Sequence, residues 1–207
     1  MILSAVIPTR GDVDMTRIIE HLHCYPEIGE VLVKVGDMPY NRYLGAAGAA
    51  HDVIFTQDDD CITDLQPLLT MYEEVERWED ELLEACSTVS QVLRFASYRE
   101  RGWGRYMVNA MTPEHAAQYP GRQTLIGFGA IFHRQSLSVF DTFERDALFY
   151  RESDRIFGSL VPHITVFPHI EILPHASAPN RLWKQANHVA ARLAIEQRIR
   201  EQTELAL

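Results

Sequence analysis

Three short apolar runs, each ending in a polar turn, constrain the fold of this chain more than any other feature. Between them lie segments with helical spacing, one marked by Met15, Ile18 and Leu22 and the other by the small residues of Asn41–Ala50. Strands that alternate with helices of this length pair in parallel through right-handed crossovers. The sequence therefore predicts an α/β fold with a mostly parallel central sheet flanked by helices. The predicted strands are Ile2–Ile7, Glu30–Val35 and Asp52–Thr56.

The rest of the chain has weaker periodicity. Leu65–Val75 and Glu81–Val92 predict helices, although the second could continue as a strand through Ala96. A terminal helix is predicted over Leu182–Arg200 because apolar residues recur there at helical spacing. Its predicted inward residues are Ala186, Val189, Ala190 and Leu193. The other predicted elements are a loop at Arg101–Tyr106, strands at Leu125–Phe132 and Ile164–Leu173, and a helix at Asp154–Leu160.

Composition and charge limit the classes of function. The 207 residues are 46% hydrophobic, which is enough to bury the core of one domain over 1–207. A formal net charge of −10 disfavours binding to duplex nucleic acid or anionic lipid. Because no stretch has the length of a membrane span and three cysteines lack close spacing, we expect a cytoplasmic protein with reduced thiols.

Three consecutive carboxylates follow the third predicted strand. Asp58, Asp59 and Asp60 follow the apolar run that ends at Thr56, with only Gln57 between, so a buried strand delivers them to one sheet edge. Neighbouring charges of one sign repel by about 1 kcal/mol per pair in water and by more in a protein. Mg²⁺ and Mn²⁺ take carboxylate oxygens and would offset this repulsion. The sequence favours a divalent metal site here over the alternative, a solvated acidic turn.

Six short segments, in this order, resemble the GT-A class of nucleotide-sugar glycosyltransferases, of either the family-two-like or the exostosin-like kind. The resemblance runs from end to end of the chain and implies a single Rossmann-like domain with a mostly parallel sheet. It implies a nucleotide-binding half at about 1–64 and an acceptor and catalytic half at about 65–207. It also implies a transferase that uses a nucleoside diphosphate sugar. The matching segments are Ala5–Arg10, Asn41–Ala46, Phe55–Asp60, Gly127–Phe132, Arg151–Asp154 and His175.

The resemblance implies that the acidic triplet is a DxD motif that binds Mn²⁺ or Mg²⁺ on the donor diphosphate. Asp60 is the implied direct metal ligand. Asp58 would lie nearer the ribose, although it could share the metal, and Asp59 could contact the sugar or a metal-bound water. The metal would stabilise the negative charge that develops on the leaving diphosphate.

The same resemblance places a nucleotide pocket on the loops after the first two strands. Thr9 and Arg10 would meet ribose and phosphate, and Asp37 would accept a base N–H. Asn41 and Arg42 would approach the diphosphate from the following helix. The alternatives are surface salt bridges for the two arginines and a simple turn at Asp37.

Acidic residues late in the chain supply the implied catalytic base. Asp154 would remove the proton of the acceptor hydroxyl in an inverting reaction, whereas a retaining enzyme needs no such base. Glu152 is the substitute candidate because the class usually has adjacent Glu and Asp, while this chain has Glu-Ser-Asp. His175 is the implied histidine metal ligand, with His163 and His169 as alternatives.

Taken together, these features predict a glycosyltransferase that moves a sugar, from UDP by default, to a hydroxyl acceptor. The acceptor could be a glycan, a protein or a small molecule. The alternatives are a nucleotidyltransferase and a non-catalytic module that binds sugar nucleotides or divalent cations. Homo-oligomerisation is compatible with the sequence, which carries no signature for it.

Overall fold

The computed structural model describes residues 1–85, 106–118, 126–177 and 187–204, with side chains described to residue 77 in the first range and to residue 202 in the last. Most of the predicted helix Glu81–Val92, its continuation through Ala96 and nearly all of the loop Arg101–Tyr106 lie outside these ranges. So do the first residues of the predicted terminal helix and Ala186.

A six-stranded sheet forms the centre of the fold. Its order is β2-β1-β3-β6-β5-β7, and β6 alone runs antiparallel to its neighbours. Strands β4 and β8 form a separate antiparallel pair. This architecture confirms the predicted α/β class with a mostly parallel sheet flanked by helices. The strands are β1 (Leu3–Thr9), β2 (Ile28–Val35), β3 (Val53–Thr56), β4 (Cys61–Thr63), β5 (Met107–Ala110), β6 (Ala130–His133), β7 (His163–Val166) and β8 (Ile170–Ile172).

Helices cover both faces of the sheet. Alternation along β1 sends Leu3, Ala5 and Ile7 into one core with α1 and α3, while Val6 faces a second core beneath α2, α6 and α7. The helices are α1 (Thr16–Leu22), α2 (Asn41–Ala47), α3 (Gln66–Ala85), α4 (Pro113–Gln118), α5 (Ala147–Arg151), α6 (Ser153–Leu160) and α7 (His188–Glu204), with 3₁₀ segments at Arg134–Phe140 and Pro174–Ser177.

Aromatic rings join α2 to α6 within the second core. The Tyr43 ring lies 4.8 Å from the Phe140 ring and 5.0 Å from the Phe157 ring, and Phe157 also packs on Phe132 at 4.8 Å. These separations are typical of favourable edge and tilted ring contacts, which add to the burial of a large apolar area. The cluster therefore fixes the position of α6 relative to α2.

Two predicted strands differ from the structure. Strand β6 begins at Ala130, since a turn closed by the Gly129 amide and the Ile126 carbonyl at 3.0 Å precedes it. The predicted strand Ile164–Leu173 divides into β7 and β8, which belong to different sheets. Pro168 lies between them and has no amide hydrogen for a sheet ladder, so the chain leaves one sheet and enters the other there. Helix α3 runs without a break from Gln66 to Ala85, so it includes the gap predicted between Val75 and Glu81.

The inward face of the terminal helix was predicted wrongly. Val189 and Leu193 are 69% and 61% exposed, and Ala190 is exposed as well. The buried residues of α7 are His188, Ile195 and Ile199, which form a different stripe of the same helix. The helix thus has one apolar stripe of Val, Ala and Leu and another that contains its buried isoleucines. The sequence pattern alone does not show which of the two stripes contacts the sheet.

Asp146 caps α5 and anchors α7. Its Oδ1 accepts from the Phe149 amide at 2.8 Å, and its carboxylate receives two hydrogen bonds from Arg198, at 2.7 and 3.1 Å. These contacts with Arg198 and the Phe149 amide lower the pKa of Asp146 from 3.8 to about 2. A folded-state pKa below the unfolded value means that the carboxylate stabilises the fold at neutral pH and that this contribution is lost as the pH falls toward 2.

Asp146→Ala is therefore expected to lower the free energy of unfolding by about 1–2 kcal/mol at pH 7. The difference from the wild type should shrink between about pH 4 and pH 2, where the wild-type carboxylate is protonated. Urea denaturation over this pH range measures both effects. Asp141→Ala is the control, because Asp141 is exposed and its ion pair with Arg145 is long at 3.8 Å. An equal loss in both variants would contradict the capping role.

Candidate active site

The carboxyl ends of the parallel strands bring the acidic triplet to one edge of the sheet. Val6 of β1 and Ala130 of β6 both pair with Thr56, the last residue of β3. Since β6 runs antiparallel, the turn that precedes it lies at this same edge. The Asp58 amide donates to the Gly127 carbonyl in that turn at 2.7 Å. The triplet is thus held between the ends of β3 and β6.

Backbone and side-chain hydrogen bonds fix the turn that carries the triplet. Gln57 is fully buried, and its side-chain Nε2 donates to the Cys61 carbonyl at 2.6 Å. The Leu173 amide donates to the Asp60 carbonyl at 2.8 Å. His175 Nε2 lies 2.7 Å from the Asp59 carbonyl and must donate, because a carbonyl only accepts. His175 therefore lies beside the triplet, and its role as a metal ligand stays a prediction.

Arg42 contacts two carboxylates that lie far apart in the sequence. The guanidinium is only 3% exposed; Nη2 lies 2.5 Å from Asp58 Oδ1, and Nε lies 3.2 Å from Asp154 Oδ1. Burial acts to lower the pKa of Arg42, but Asp154 and Asp58 outweigh it and raise that pKa above its ordinary value. Arg42 therefore stays charged and joins the triplet to the predicted base.

Tyr43, the neighbour of Arg42 in α2, holds the same carboxylate. Its hydroxyl donates to Asp154 Oδ1 at 2.8 Å. Burial raises the pKa of Asp154, and the nearby Asp58 acts in the same direction, whereas Arg42 and the Tyr43 hydroxyl oppose the rise. The Asp154 side chain is still 31% exposed. Both of these contacts fall on Oδ1, so Oδ2 is the oxygen placed to accept a proton from a ligand.

Glu152, the other candidate base, lies in a separate set of ion pairs. Its Oε1 is 3.3 Å from Arg151 Nε, and its Oε2 is 4.0 Å from Arg192 Nε. Burial raises the pKa of Glu152, although both arginines act to lower it. The two candidates therefore have different partners: Asp154 contacts the Arg42 network, and Glu152 contacts arginines of α5 and α7.

The predicted nucleotide-binding residues gather after β1 and β2. The Thr9 carbonyl accepts from the Gly36 amide at 2.8 Å, and the Thr9 hydroxyl accepts from the Gly11 amide at 3.1 Å. A Cβ on Gly36 would lie 2.1 Å from the Asn41 side-chain nitrogen, so Asn41 covers this turn closely. Asp37 is exposed in the same turn. The structure thus brings Thr9 and Asn41 together, and base or ribose recognition by this turn stays a prediction.

Arg10 directly follows β1 and is half-buried. Its place after Thr9 puts it at the carboxyl edge of the sheet, where the prediction requires it. Its proposed contact with phosphate stays a prediction.

Gly127 makes room for Asp58. A Cβ at position 127 would lie 2.4 Å from Asp58 Oδ2, closer than real side chains approach. Gly127→Ala should therefore displace the Asp58 carboxylate from Arg42, and it should lower the free energy of unfolding by about 1 kcal/mol, since the 40% exposed Asp58 side chain can rotate away. Urea denaturation measures this loss. Gly48→Ala is the matched control, since its nearest neighbours would lie at an ordinary 3.8 Å; equal stability of the two variants would contradict the crowding.

The metal prediction has limited geometric support. Within residues 1–77, 106–118, 126–177 and 187–202, no group of three or more His, Cys, Asp and Glu side chains is placed to hold a metal ion. His163 begins β7 and so lies at the opposite edge of the sheet from the triplet, which excludes it as a partner of Asp60. His169 is exposed, and its carbonyl accepts from the Asp64 amide.

Sequence reasoning did not identify Tyr43 or Gly127 as parts of the site. Tyr43 reads as an ordinary core aromatic because it follows the apolar spacing of α2, and its hydroxyl partner is known only from the fold. Gly127 lay within a predicted strand, where a glycine indicates close backbone approach. Tyr43 and Gly127 also lie in two of the segments that resemble the GT-A class, so each had a signal that the predicted site residues left out.

Comparisons with known proteins give little beyond the fold described above. No protein-family model and no curated protein matches this chain. Among solved structures, the chain is similar to a putative glucose-1-phosphate thymidylyltransferase from Bacillus anthracis, solved in complex with a sucrose. The identity is 8%, the TM-score is 0.49, and the match covers 92% of this chain and 95% of that one. A similarity of this level carries no conclusion about activity.

No helix in the described part of the chain is both long and apolar enough to cross a membrane.

Proposed function

We propose that this protein is a glycosyltransferase that moves a sugar from a nucleoside diphosphate sugar to a hydroxyl acceptor. The observation that carries the proposal is the Arg42 bridge, which joins Asp58 of the acidic triplet to Asp154. Group transfer requires a site for the donor diphosphate beside a group that accepts a proton. The bridge supplies both within one connected network at the carboxyl edge of the sheet, where open α/β sheets bind ligands.

Asp58 and Asp60 would hold a divalent cation. The Asp58 and Asp60 side chains are both partly exposed, so an ion could reach their carboxylates. Mg²⁺ commonly takes only one or two protein carboxylates and completes its shell with water and substrate phosphate, so two carboxylates fit its needs. When bound, the cation would offset negative charge on the diphosphate. His175 would support the ion by fixing the Asp59 backbone or as a further ligand.

The nucleotide would lie over the turns that carry Thr9, Arg10, Asp37 and Asn41. Thr9 and Asn41 meet at the Gly36 turn, which supports a shared role in binding the nucleoside. Arg42 Nη1 is a buried donor that has no hydrogen-bond partner among the described residues. A diphosphate oxygen would supply the missing acceptor, and Asp59, buried beside Asp58, would lie near the donor sugar.

Asp154 would act as the base of an inverting reaction. Its Oδ2 takes the proton of the acceptor hydroxyl as that oxygen bonds to the anomeric carbon. The bond from the anomeric carbon to the diphosphate breaks, and its electron pair leaves with the diphosphate. Glu152 keeps its ion pairs with Arg151 and Arg192 in this scheme and does not receive the proton.

Calorimetric titration of UDP and of GDP tests the donor site, first with Mn²⁺ and then with EDTA. We expect one nucleotide to bind only in the presence of the metal, and we expect Asp60→Ala to abolish this binding. Asp141→Ala, at an exposed position, should bind as the wild type does. Metal-independent binding, or full binding by Asp60→Ala, would contradict the metal assignment.

The same preparation separates the competing functions. Release of UDP from a UDP-sugar, with or without an added acceptor alcohol, supports glycosyl transfer. Release of pyrophosphate from UTP and a sugar 1-phosphate would identify a nucleotidyltransferase instead. Nucleotide binding without either reaction, across a broad panel of donors and acceptors, would identify a non-catalytic binding module.

A further inference from the structure

A second cluster of charged side chains lies where α5 and α6 meet α7. It consists of Arg151, Glu152, His188 and Arg192, and we call it the α5–α7 cluster. Glu152 and His188 are at least nine-tenths buried, and Arg151 is largely buried. Only Arg192 is substantially exposed, at 37%. The cluster therefore opens to solvent past the Arg192 side chain.

The α5–α7 cluster holds more hydrogen-bond donors than acceptors. Arg151 Nη1 donates to the Asn187 side chain at 2.9 Å. Arg151 Nε, Arg151 Nη2 and Arg192 Nε are buried without a hydrogen-bond partner among the described residues, and so are Glu152 Oε1 and His188 Nδ1. Three guanidinium donors thus stand against one carboxylate oxygen, and a buried donor without an acceptor destabilises a fold. Buried polar groups without partners are rare in proteins and mark places where an ion or water belongs.

The charge of the α5–α7 cluster indicates which kind of ligand would complete it. The cluster contains two arginines and one carboxylate, and Asp154, a further carboxylate on which Arg192 acts, is already paired with Arg42. The cluster therefore has a net positive charge. Burial, and then the charges of Arg192 and Arg151, lower the pKa of His188. Glu152 can neutralise only one of the two guanidinium groups. An oxyanion would neutralise the other and would accept hydrogen bonds from several donors at once, as arginine pairs with phosphate and carboxylate do.

The position of the cluster indicates which part of a substrate it would bind. Glu152 and Asp154 are two residues apart in the chain; the charge of Asp154 acts on Glu152, and the charge of Arg192 acts on Asp154. A ligand held here would therefore extend toward the proposed base. The cluster is built from α5, the start of α6 and α7, whereas the predicted nucleotide-binding turns follow β1 and β2. The acceptor, and not the donor, is the substrate whose hydroxyl must reach Asp154.

We propose that Arg151, Arg192 and His188 bind a phosphate or carboxylate group of the acceptor, so that the enzyme glycosylates an acidic acceptor. This inference rests on the proposed function for its acceptor role, but the anion site itself does not. The formal net charge of −10 repels anions over most of the surface, so a local basic cluster is needed to hold an acidic acceptor.

Titration calorimetry with inorganic phosphate, at low ionic strength and with EDTA present, tests the anion site. We expect saturable binding by the wild type and a loss of at least about tenfold in Arg151→Gln and in Arg192→Gln, since charged hydrogen bonds are worth about 1.5–3 kcal/mol each. Arg17→Gln removes the same charge from an exposed pair with Glu171 and should keep wild-type affinity. Unchanged affinity in the first two variants, or an equal loss in Arg17→Gln, overturns the proposal.

Glu152→Gln separates a binding role from general damage to the fold. It removes the carboxylate that competes with the anion for the two arginines, so phosphate should bind more tightly than in the wild type. Damage to the fold would weaken binding instead. Weaker or unchanged phosphate binding in folded Glu152→Gln would overturn the proposal. Titration with acetate in place of phosphate then distinguishes a carboxylate from a phosphate as the preferred group.

Competition with nucleotide tests the acceptor role. Phosphate should bind equally well when the protein is saturated with UDP and Mn²⁺, and Arg151→Gln should keep its affinity for UDP. Displacement of phosphate by UDP would assign the cluster to the donor diphosphate and overturn the acceptor role. If no nucleotide binds but phosphate binding still depends on Arg151, the proposed function fails while the anion site stands.

Discussion

Arg42→Met is expected to lower the free energy of unfolding by about 3 kcal/mol, because it leaves two carboxylates without their shared cation. The estimate takes the lower end of the range for a broken buried ion pair, since Asp58 and Asp154 are 40% and 31% exposed. Methionine keeps the length and apolar character of the arginine stem, so the change reports mainly on charge. Urea denaturation at pH 7 measures the loss.

Acid and a second substitution test the cause of the expected loss. The deficit of Arg42→Met should shrink as the pH falls, because protonation removes the negative charge left on Asp154, whose pKa burial already raises. Arg42→Met combined with Asp154→Asn should be less destabilised than the sum of the two single changes, since both act on one ion pair. Arg17→Met, at an exposed ion pair, should cost no more than about 1 kcal/mol. Additive changes and a deficit that does not depend on pH would show that Arg42 stabilises the fold through packing alone.

Asp154→Asn is expected to lower kcat/KM for release of UDP from the UDP-sugar by about 10²- to 10⁴-fold, the usual contribution of a general base. Affinity for UDP with Mn²⁺ should stay at the wild-type value. Asparagine keeps the shape of the side chain and a carbonyl oxygen that can still accept from the Tyr43 hydroxyl, so the loss reports on proton transfer. Initial rates and calorimetry on the same preparation separate catalysis from binding.

The activity of Glu152→Gln tests Glu152 as the alternative base. If Asp154→Asn retains full activity while Glu152→Gln loses it, Glu152 is the base and the assignment of Asp154 is wrong. If neither change affects the rate, the reaction does not use a carboxylate base from this part of the chain, as expected for a retaining enzyme. Asp141→Asn controls for the loss of one acidic residue.

The Tyr43 hydrogen bond provides a pH test that distinguishes Asp154 from Glu152. The base must be ionised, so the rate should fall as the pH drops through the pKa of Asp154, which burial raises above its ordinary value. The Tyr43 hydrogen bond opposes that rise. Tyr43→Phe should therefore move the acid limb of the rate profile to higher pH while the aromatic core is kept.

Local sequence patterns determined much of the first third of the fold. Runs of β-branched and apolar residues with helical segments between them gave β1, α1, β2, α2 and β3, and the observed bounds lie within a few residues of the predicted ones. Such elements depend on short-range periodicity and turn chemistry, which one sequence displays directly. The acidic triplet was predicted at the carboxyl end of β3 for the same reason, and it lies there.

Only the tertiary structure decided which distant residues meet. The Arg42 contacts with Asp58 and Asp154, and the Tyr43 hydrogen bond, require α2 and α6 to pack on the same face of the sheet. The pairing of β6 between β3 and β5, which brings Gly127 to Asp58, is likewise a long-range choice. The buried stripe of α7 was predicted wrongly for the same physical reason. A periodic pattern shows that a helix has an apolar face, but packing against the sheet selects the face that is buried and, with it, the charged groups that come together.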